Sequence, residues 1–240
     1  MPASPENLNR LFNPRHIAFI GGSDAAFSAE QCARHFDGPV WGVNPRRETL
    51  GGVPCFASVS DLPEPPDAVF LAVPRETATE TVHQLNQLGA GGVVCFTAGF
   101  GELGESGRLA EDALIEVAGD MALVGPNCYG IVNYTNGATL WPFGAGDTRC
   151  EKGIALIMQS GMIPANMTMN DRSVPISYVI SAGNQAILAI EDYIDALVDD
   201  SSVTAFGLYI EGIRDIEKFA NSAIKALQAE KPIVVLKAFY

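Results

Sequence analysis

At 240 residues and 48% apolar, the chain can bury a sizeable core and is long enough for one large or two small domains. A net charge of −13 argues against a general nucleic-acid surface, and no run approaches the roughly 18 consecutive apolar residues of a membrane span. The five cysteines (Cys32, Cys55, Cys95, Cys128 and Cys150) are odd in number, scattered and never spaced Cys-x-x-Cys. That pattern, with no secretion signal in Met1 to Arg15, argues against a disulfide framework or zinc site and points to a reducing cytoplasm.

In chain order, the first element is the apolar run Ile17–Ile20, which stops at Gly21-Gly22-Ser23. A strand buried between two helical layers reads as such a run, and glycine after it lets a ligand phosphate approach the next helix's N-terminal amides. Further strands are predicted at Val40–Val43, Ala68–Val73, Gly92–Phe96 and Ala122–Val124, with helices at Ala29–Phe36, Arg75–Leu88 and Gly107–Ala118. Asn133–Glu151 breaks the rhythm with scattered glycine and reads as a linker. The alternation then resumes: strands at Ile154–Met158, Ser177–Ile180, Ala205–Tyr209 and Ile233–Leu236, helices at Met162–Asn170, Ala186–Val198 and Ile216–Ala229. Strands alternating with helices imply parallel sheets with right-handed crossovers, hence an α/β fold in two domains, the second smaller.

Ligands of open parallel sheets bind beyond the carboxyl ends of the strands. Those ends carry Gly21-Gly22-Ser23, Asn44-Pro45-Arg46-Arg47, Val73-Pro74, Thr97-Ala98-Gly99-Phe100-Gly101 and Gly125-Pro126-Asn127-Cys128. Such residues also merely terminate strands, but five ends in sequence weigh toward a crevice. An NAD site wants an acidic residue about 20 positions past the glycines. Arg46 and Arg47 stand there instead, and a guanidinium fork suits a phosphorylated ribose, as in NADP or coenzyme A. After Gly22 no glycine occurs before Gly38, so the fingerprint is imperfect. In the second half, Gln159-Ser160-Gly161 repeats the strand–turn–helix design that can hold a phosphoryl group, though an ordinary Ser N-cap reads the same way.

Leu11-Phe12-Asn13-Pro14-Arg15-His16-Ile17-Ala18, leading into Gly21-Gly22-Ser23, resembles the start of the NDP-forming acyl-CoA synthetases, relatives of the succinyl-CoA synthetase alpha subunit that include acetate–CoA ligase (ADP-forming). The resemblance continues in order through Val43-Asn44-Pro45, Ala72-Val73-Pro74, Thr97-Ala98-Gly99-Phe100, Gly125-Pro126-Asn127-Cys128, Gln159-Ser160-Gly161, Gly183-Asn184, Tyr209 to Asp215 and Lys231 to Lys237. It implies a Rossmann-like CoA-binding domain over 1–135, a linker over 136–152 and a flavodoxin-like ligase domain over 153–240. It implies that Gly21, Gly22 and Ser23 face the CoA phosphates, with Asn44, Pro45, Arg46 and Arg47 near the adenosine end. Val73, Pro74, Thr97, Ala98 and Gly99 would line the channel, and Asn127 the thioester end. Ser160 and Gly161 would hold phosphate, and Glu211 would orient a histidine that is phosphorylated during turnover. Cys128 reads as a small buried thiol.

The family reaction runs through an acyl phosphate and a phosphohistidine, with ATP/ADP and Mg supplied by an ATP-grasp domain or subunit. The resemblance therefore implies CoA and a carboxylic acid as ligands, and an oligomeric assembly. Three departures stand out. His16, His35 and His83 all lie in the first half and read as surface or packing residues, so the phosphohistidine is expected beyond Tyr240 of a truncated chain. Ile187 and Ala189 stand where the family favours acids, although Asp192 remains, and the glycine before the first helix is missing. Two other readings stay open: a stand-alone CoA-binding module, and an NADP-dependent oxidoreductase domain.

Overall fold

The computed structural model describes residues 3–146, 149–169 and 174–238. Helix α1 (Pro5–Phe12) precedes β1 (Ile17–Gly21), α2 (Ser23–His35) and β2 (Val40–Val43). A small hairpin, β3 (Thr49–Leu50) and β4 (Val53–Phe56), follows. Then come β5 (Ala68–Ala72), α3 (Arg75–Leu88), β6 (Gly92–Cys95), α4 (Glu105–Ala118) and β7 (Ala122–Val124). The seven strands order as β3-β4-β2-β1-β5-β6-β7, parallel except for the β3–β4 hairpin. The chain builds outward from β1 one way, then crosses back to β5 and builds the other way. The order therefore reverses between β1 and β5, which places a binding crevice beyond Gly21 and Ala72.

A second sheet holds β8 (Gly130–Asn133), β9 (Thr139–Leu140), β10 (Gly153–Met158), β11 (Ile176–Ser181), β12 (Val203–Ile210) and β13 (Ile233–Lys237). Helices α5 (Met162–Thr168), α6 (Ile190–Leu197) and α7 (Ile216–Gln228) connect its parallel strands. Its order is β13-β12-β10-β11-β8-β9, with β8 and β9 antiparallel. Here too the order reverses, between β10 and β12, at Met158 and Ile210.

Alternate residues of β1 serve two cores. Ile17 and Phe19 face α1 and α2, while Ala18 and Ile20 join the cluster of Val82, Leu85 and Leu114 from α3 and α4. The first cluster runs unbroken into the second sheet through Phe12, Tyr178 and Tyr193, whose rings meet edge-on at 5.9 and 6.4 Å. The two sheets thus share buried apolar surface.

Several expected boundaries shift. Helix α2 begins at Ser23, not Ala29, because Gly22 occupies its N-cap directly after β1. Small buried Ala25 and Ala29 let this helix lie close against the sheet. The stretch read as a linker contains the end of β8 and all of β9, both buried. Helix α6 starts at Ile190, not Ala186, since the backbone N–H groups of Ala186 and Leu188 donate to Gly125 and Leu123 on the edge of the first sheet. Asn170, expected to close the helix begun at Met162, lies outside the described residues.

Candidate functional site: a crevice at two switch points

At the first reversal Gly21 has φ +141, and a Cβ there would lie 2.1 Å from the Ala72 carbonyl oxygen. Only glycine lets β1 and β5 come that close at their carboxyl ends. A Cβ on Gly22 would meet nothing within 4 Å, so its position faces open space. No side chain caps α2, a 13-residue helix, so its first amides are free to meet an anion. Asp24 sits in the same turn, and an anionic ligand there needs cations nearby to offset it.

Two lobes of about 580 and 590 Å³ open side by side here and share Gly22, Ala72, Val73 and Pro74. Asn44, Pro45 and Arg46 line one lobe. The Asn44 amide donates to the Gly21 carbonyl at 2.8 Å and its Oδ1 accepts the Arg46 N–H at 2.9 Å, tying the first two strand ends together. Arg47 is exposed just outside the lining. The other lobe takes in Ser23, Thr97, Ala98 and Asn127. Thr97 donates to the Val73 carbonyl at 2.7 Å, and the Asn127 N–H donates to the Thr97 carbonyl at 3.0 Å. Gly99, expected to line the channel, is outside the lining of both lobes; it has φ +106 and its carbonyl accepts a 2.9 Å bond from Arg75.

Arg75 is a residue that motif reading passes over. It starts α3 directly after Val73-Pro74 and lines the same lobe as Gly22 and Ser23. Its signal was a basic residue at a helix start beside a strand end; no spacing rule selects it. Cys128 is buried and its thiol is pushed well above its ordinary value by burial, which leaves no thiolate for nucleophilic work.

Carboxylates brace the wall. Glu102 accepts the backbone N–H of Gly99 at 2.5 Å and that of Phe100 at 3.2 Å, while Glu111 accepts that of Gly101 at 3.1 Å. The Asn184 amide, from the second half, donates to Glu102 at 2.6 Å and to Glu111 at 2.9 Å. Burial alone would raise the Glu102 carboxyl, but the bonds from Asn184 and Gly99 outweigh it and hold it below its ordinary value.

The second reversal is closed by Gln159. Its Oε1 accepts the N–H groups of Glu211 and Gly212 at 2.5 and 2.8 Å, and its Nε2 donates to the Gly212 carbonyl at 2.5 Å. One side chain thus fixes the end of β12 against the end of β10, beside Ser160 and Gly161. Ser160 does not cap α5; Gly161 occupies the N-cap, and a Cβ there would lie 3.0 Å from the Tyr129 ring. Glu211 is exposed and held through its backbone, its carbonyl also accepting Lys237 Nζ at 2.9 Å. The nearby Arg214 guanidinium bonds the carbonyls of Gln185 and Ala186. Asp192 caps α6 by accepting the Ala189 N–H at 2.9 Å and pairs with Lys218 at 2.5 Å; Ile187 packs on both cores. None of the three histidines approaches the crevice: His16, for example, is buried, stacked on Trp41 and facing Glu64 at 3.1 Å.

Residues 15–134 match the family model described as CoA binding domain, and 151–239 that described as succinyl-CoA ligase like flavodoxin domain. Among curated relatives, the chain is 35% identical to trans-feruloyl-CoA synthase FCS1 of an unidentified prokaryote, over 97% of this chain and 35% of that protein. It is 36% identical to the alpha subunit of acetate–CoA ligase (ADP-forming) II from Pyrococcus furiosus, over 96% of this chain and 52% of that one. The chain thus spans about half or less of these relatives' length. A solved structure of PH0766 from Pyrococcus horikoshii superposes with TM-score 0.90 at 32% identity, covering 97% of this chain and 55% of that chain. The dinucleotide forming acetyl-coenzyme A synthetase 1 of Ca. Korarchaeum cryptofilum gives TM-score 0.87 at 29% identity, with 96% and 52% covered. The chain belongs to the CoA binding domain family over residues 15–134 and carries a succinyl-CoA ligase-like flavodoxin domain over residues 151–239.

Proposed function

We propose that this chain is the CoA-binding portion of an acid–CoA ligase, and that it holds CoA in the two-lobed crevice at the first switch point. The observation that carries the reading is the continuity of the two lobes across Gly22, Val73 and Pro74, beside an uncapped helix N-terminus. In this reading the pyrophosphate lies at Gly21, Gly22 and Ser23, and the phosphorylated ribose near Asn44, Pro45, Arg46 and Arg47. The pantetheine passes Val73, Pro74, Thr97, Ala98 and Gly99 toward Asn127. Arg75 supplies a cation beside Asp24. Ser160 and Gly161 receive phosphate at the second switch point, and Glu211 orients a phosphorylated histidine brought from elsewhere.

The full reaction then needs a carboxylic acid, ATP/ADP with Mg on an ATP-grasp domain or subunit, and assembly into an oligomer. The solved Korarchaeum enzyme in complex with phosphate and ADP supports the nucleotide part. We divide the chain at 1–135, 136–152 and 153–240, with β8 and β9 lending their pairing to the second sheet. The comparisons favour neither a stand-alone module nor an NADP oxidoreductase. No described helix is long and apolar enough to cross a membrane, and five free cysteines fit a reducing cytoplasm.

Calorimetry with CoA and with 3′-dephospho-CoA tests the placement. The double variant Arg46→Ala, Arg47→Ala is expected to lose about 1.5–3 kcal/mol of CoA affinity, the strength of charge-assisted hydrogen bonds. Its affinity for dephospho-CoA should not change. Equal losses with both ligands would put the 3′-phosphate elsewhere.

A further inference from the structure

The second half of the chain reaches the first at Gly183-Asn184, just past β11. Gly183 has φ +60, and a Cβ there would lie 2.4 Å from the Pro126 carbonyl oxygen and 2.7 Å from that of Asn127. Only glycine lets this segment press so closely on the turn after β7. The N–H groups of Asn184 and Ala186 then donate to the carbonyls of Pro126 and Gly125, both at 2.9 Å. The half-buried Asn184 side chain is thereby set beside Asn127, which lines one lobe of the crevice.

Both ends of the Asn184 amide are in use. Its Nδ2 donates to Glu102 at 2.6 Å and to Glu111 at 2.9 Å, and these carboxylates accept the N–H groups of Gly99, Phe100 and Gly101. Its Oδ1 accepts Asn127 Nδ2 at 3.3 Å, while the Asn127 N–H donates to the Thr97 carbonyl at 3.0 Å. Two strand-end loops of the first half, 97–101 and 125–128, therefore close on one side chain of the second. A short carboxamide suits that place, because it donates to the carboxylates and accepts from a second amide. A carboxylate of the same shape could only accept, and would face Glu102 and Glu111 as a third negative charge.

We propose that Asn184 is a positioning residue for the thioester end of the crevice, holding Asn127 and the 97–101 loop in the arrangement that receives the pantetheine arm. The inference rests on the CoA placement proposed above. It gives the two ends of the ligand different dependence on the second half of the chain. At the adenosine end, the bonds of Asn44 to Gly21, Arg46 and Phe56 lie within the first half. Loss of the Asn184 amide should therefore be felt by the pantetheine arm and not by the adenosine.

The test is calorimetric titration of the whole chain with CoA and with adenosine 3′,5′-bisphosphate, the part of CoA that lacks the pantetheine arm. It is made on the parent, on Asn184→Asp, on Asn184→Ala, and on Asn184→Asp combined with Glu102→Gln. CoA is expected to bind each single variant about tenfold more weakly, the scale of one lost charge-assisted bond. The bisphosphate should bind both as it binds the parent, which also reports that they fold. The double variant exchanges donor and acceptor across the contact between residues 184 and 102, and should recover at least about threefold of the loss. CoA affinity untouched in both single variants would overturn the inference, as would a double variant no better than Asn184→Asp. Equal losses for CoA and the bisphosphate would also overturn it, since they mark a residue that serves the fold alone. Failure of the parent to bind either ligand is a different result, which removes the CoA reading and this inference with it.

Discussion

Gly21 and Gly22 are adjacent and needed for unrelated reasons. A Cβ on Gly21 would run into the Ala72 carbonyl oxygen at 2.1 Å and would occupy φ +141, so the cost falls on folding. A Cβ on Gly22 would meet no protein atom within 4 Å, so its cost falls on whatever enters the crevice. Gly21→Ala is expected to lose more than about 3 kcal/mol in urea unfolding, or to yield no soluble protein. Gly22→Ala should unfold like the parent and bind CoA about tenfold more weakly, the effect of crowding a backbone–phosphate contact. Equal stability of the two variants would contradict this division of roles. The same scale shows why Arg75, and the bracing role of Gln159 within its motif, escaped the sequence. Each acts by reaching a segment far away in the chain, Gly99 for one and Gly212 for the other, and no spacing pattern reveals that reach.

Among the elements, α3 was legible to the residue, because Pro74 precedes it and Gly89 follows it with φ +86. Strands β3, β4 and β9 were not, since a two-residue ladder leaves no period to read. The start of α6 was misplaced because Ala186–Ala189 continues an apolar helical pattern while its backbone pairs with the first sheet, a tertiary contact that overrides propensity. Element α1 shows how a sequence-distant pair secures the fold. Asp67, ahead of β5, is buried and accepts Arg10 Nε at 2.7 Å, and the backbone N–H and Nε of Arg15 at 2.9 and 2.8 Å. Burial alone would raise its carboxyl, but the bonds from Arg15 and Arg10 outweigh it and hold it well below the usual carboxylate range. A depressed folded-state value stabilises above the unfolded carboxylate pKa of about 3.9 and is lost as pH falls through the folded one. Asp67→Asn should therefore cost about 2–4 kcal/mol near neutral pH, and the gap to the parent should shrink as pH drops below about 4. A constant gap across that range in urea unfolding would remove the assignment.

The whole molecule packs its two sheets together, and Asn184, just past β11, ties the second half to the first by donating to Glu102 and Glu111 while its Oδ1 accepts from the Asn127 amide at 3.3 Å. The α/β class, the five glycine- and proline-bearing strand ends and the turn at Gly161 could be read from the sequence. The two-lobed shape of the crevice, with its lobes joined across Gly22, Ala72, Val73 and Pro74, could not, because it depends on which strands cross the sheet. The claim at the centre is that this crevice holds CoA. It is tested most directly by calorimetric titration of the chain with CoA and, separately, with NADPH. Saturable binding of CoA at about one site per chain, with no heat from NADPH, is the expected result, as a phosphate-bearing pantetheine ligand fits both lobes. Saturable NADPH binding without CoA binding would contradict it.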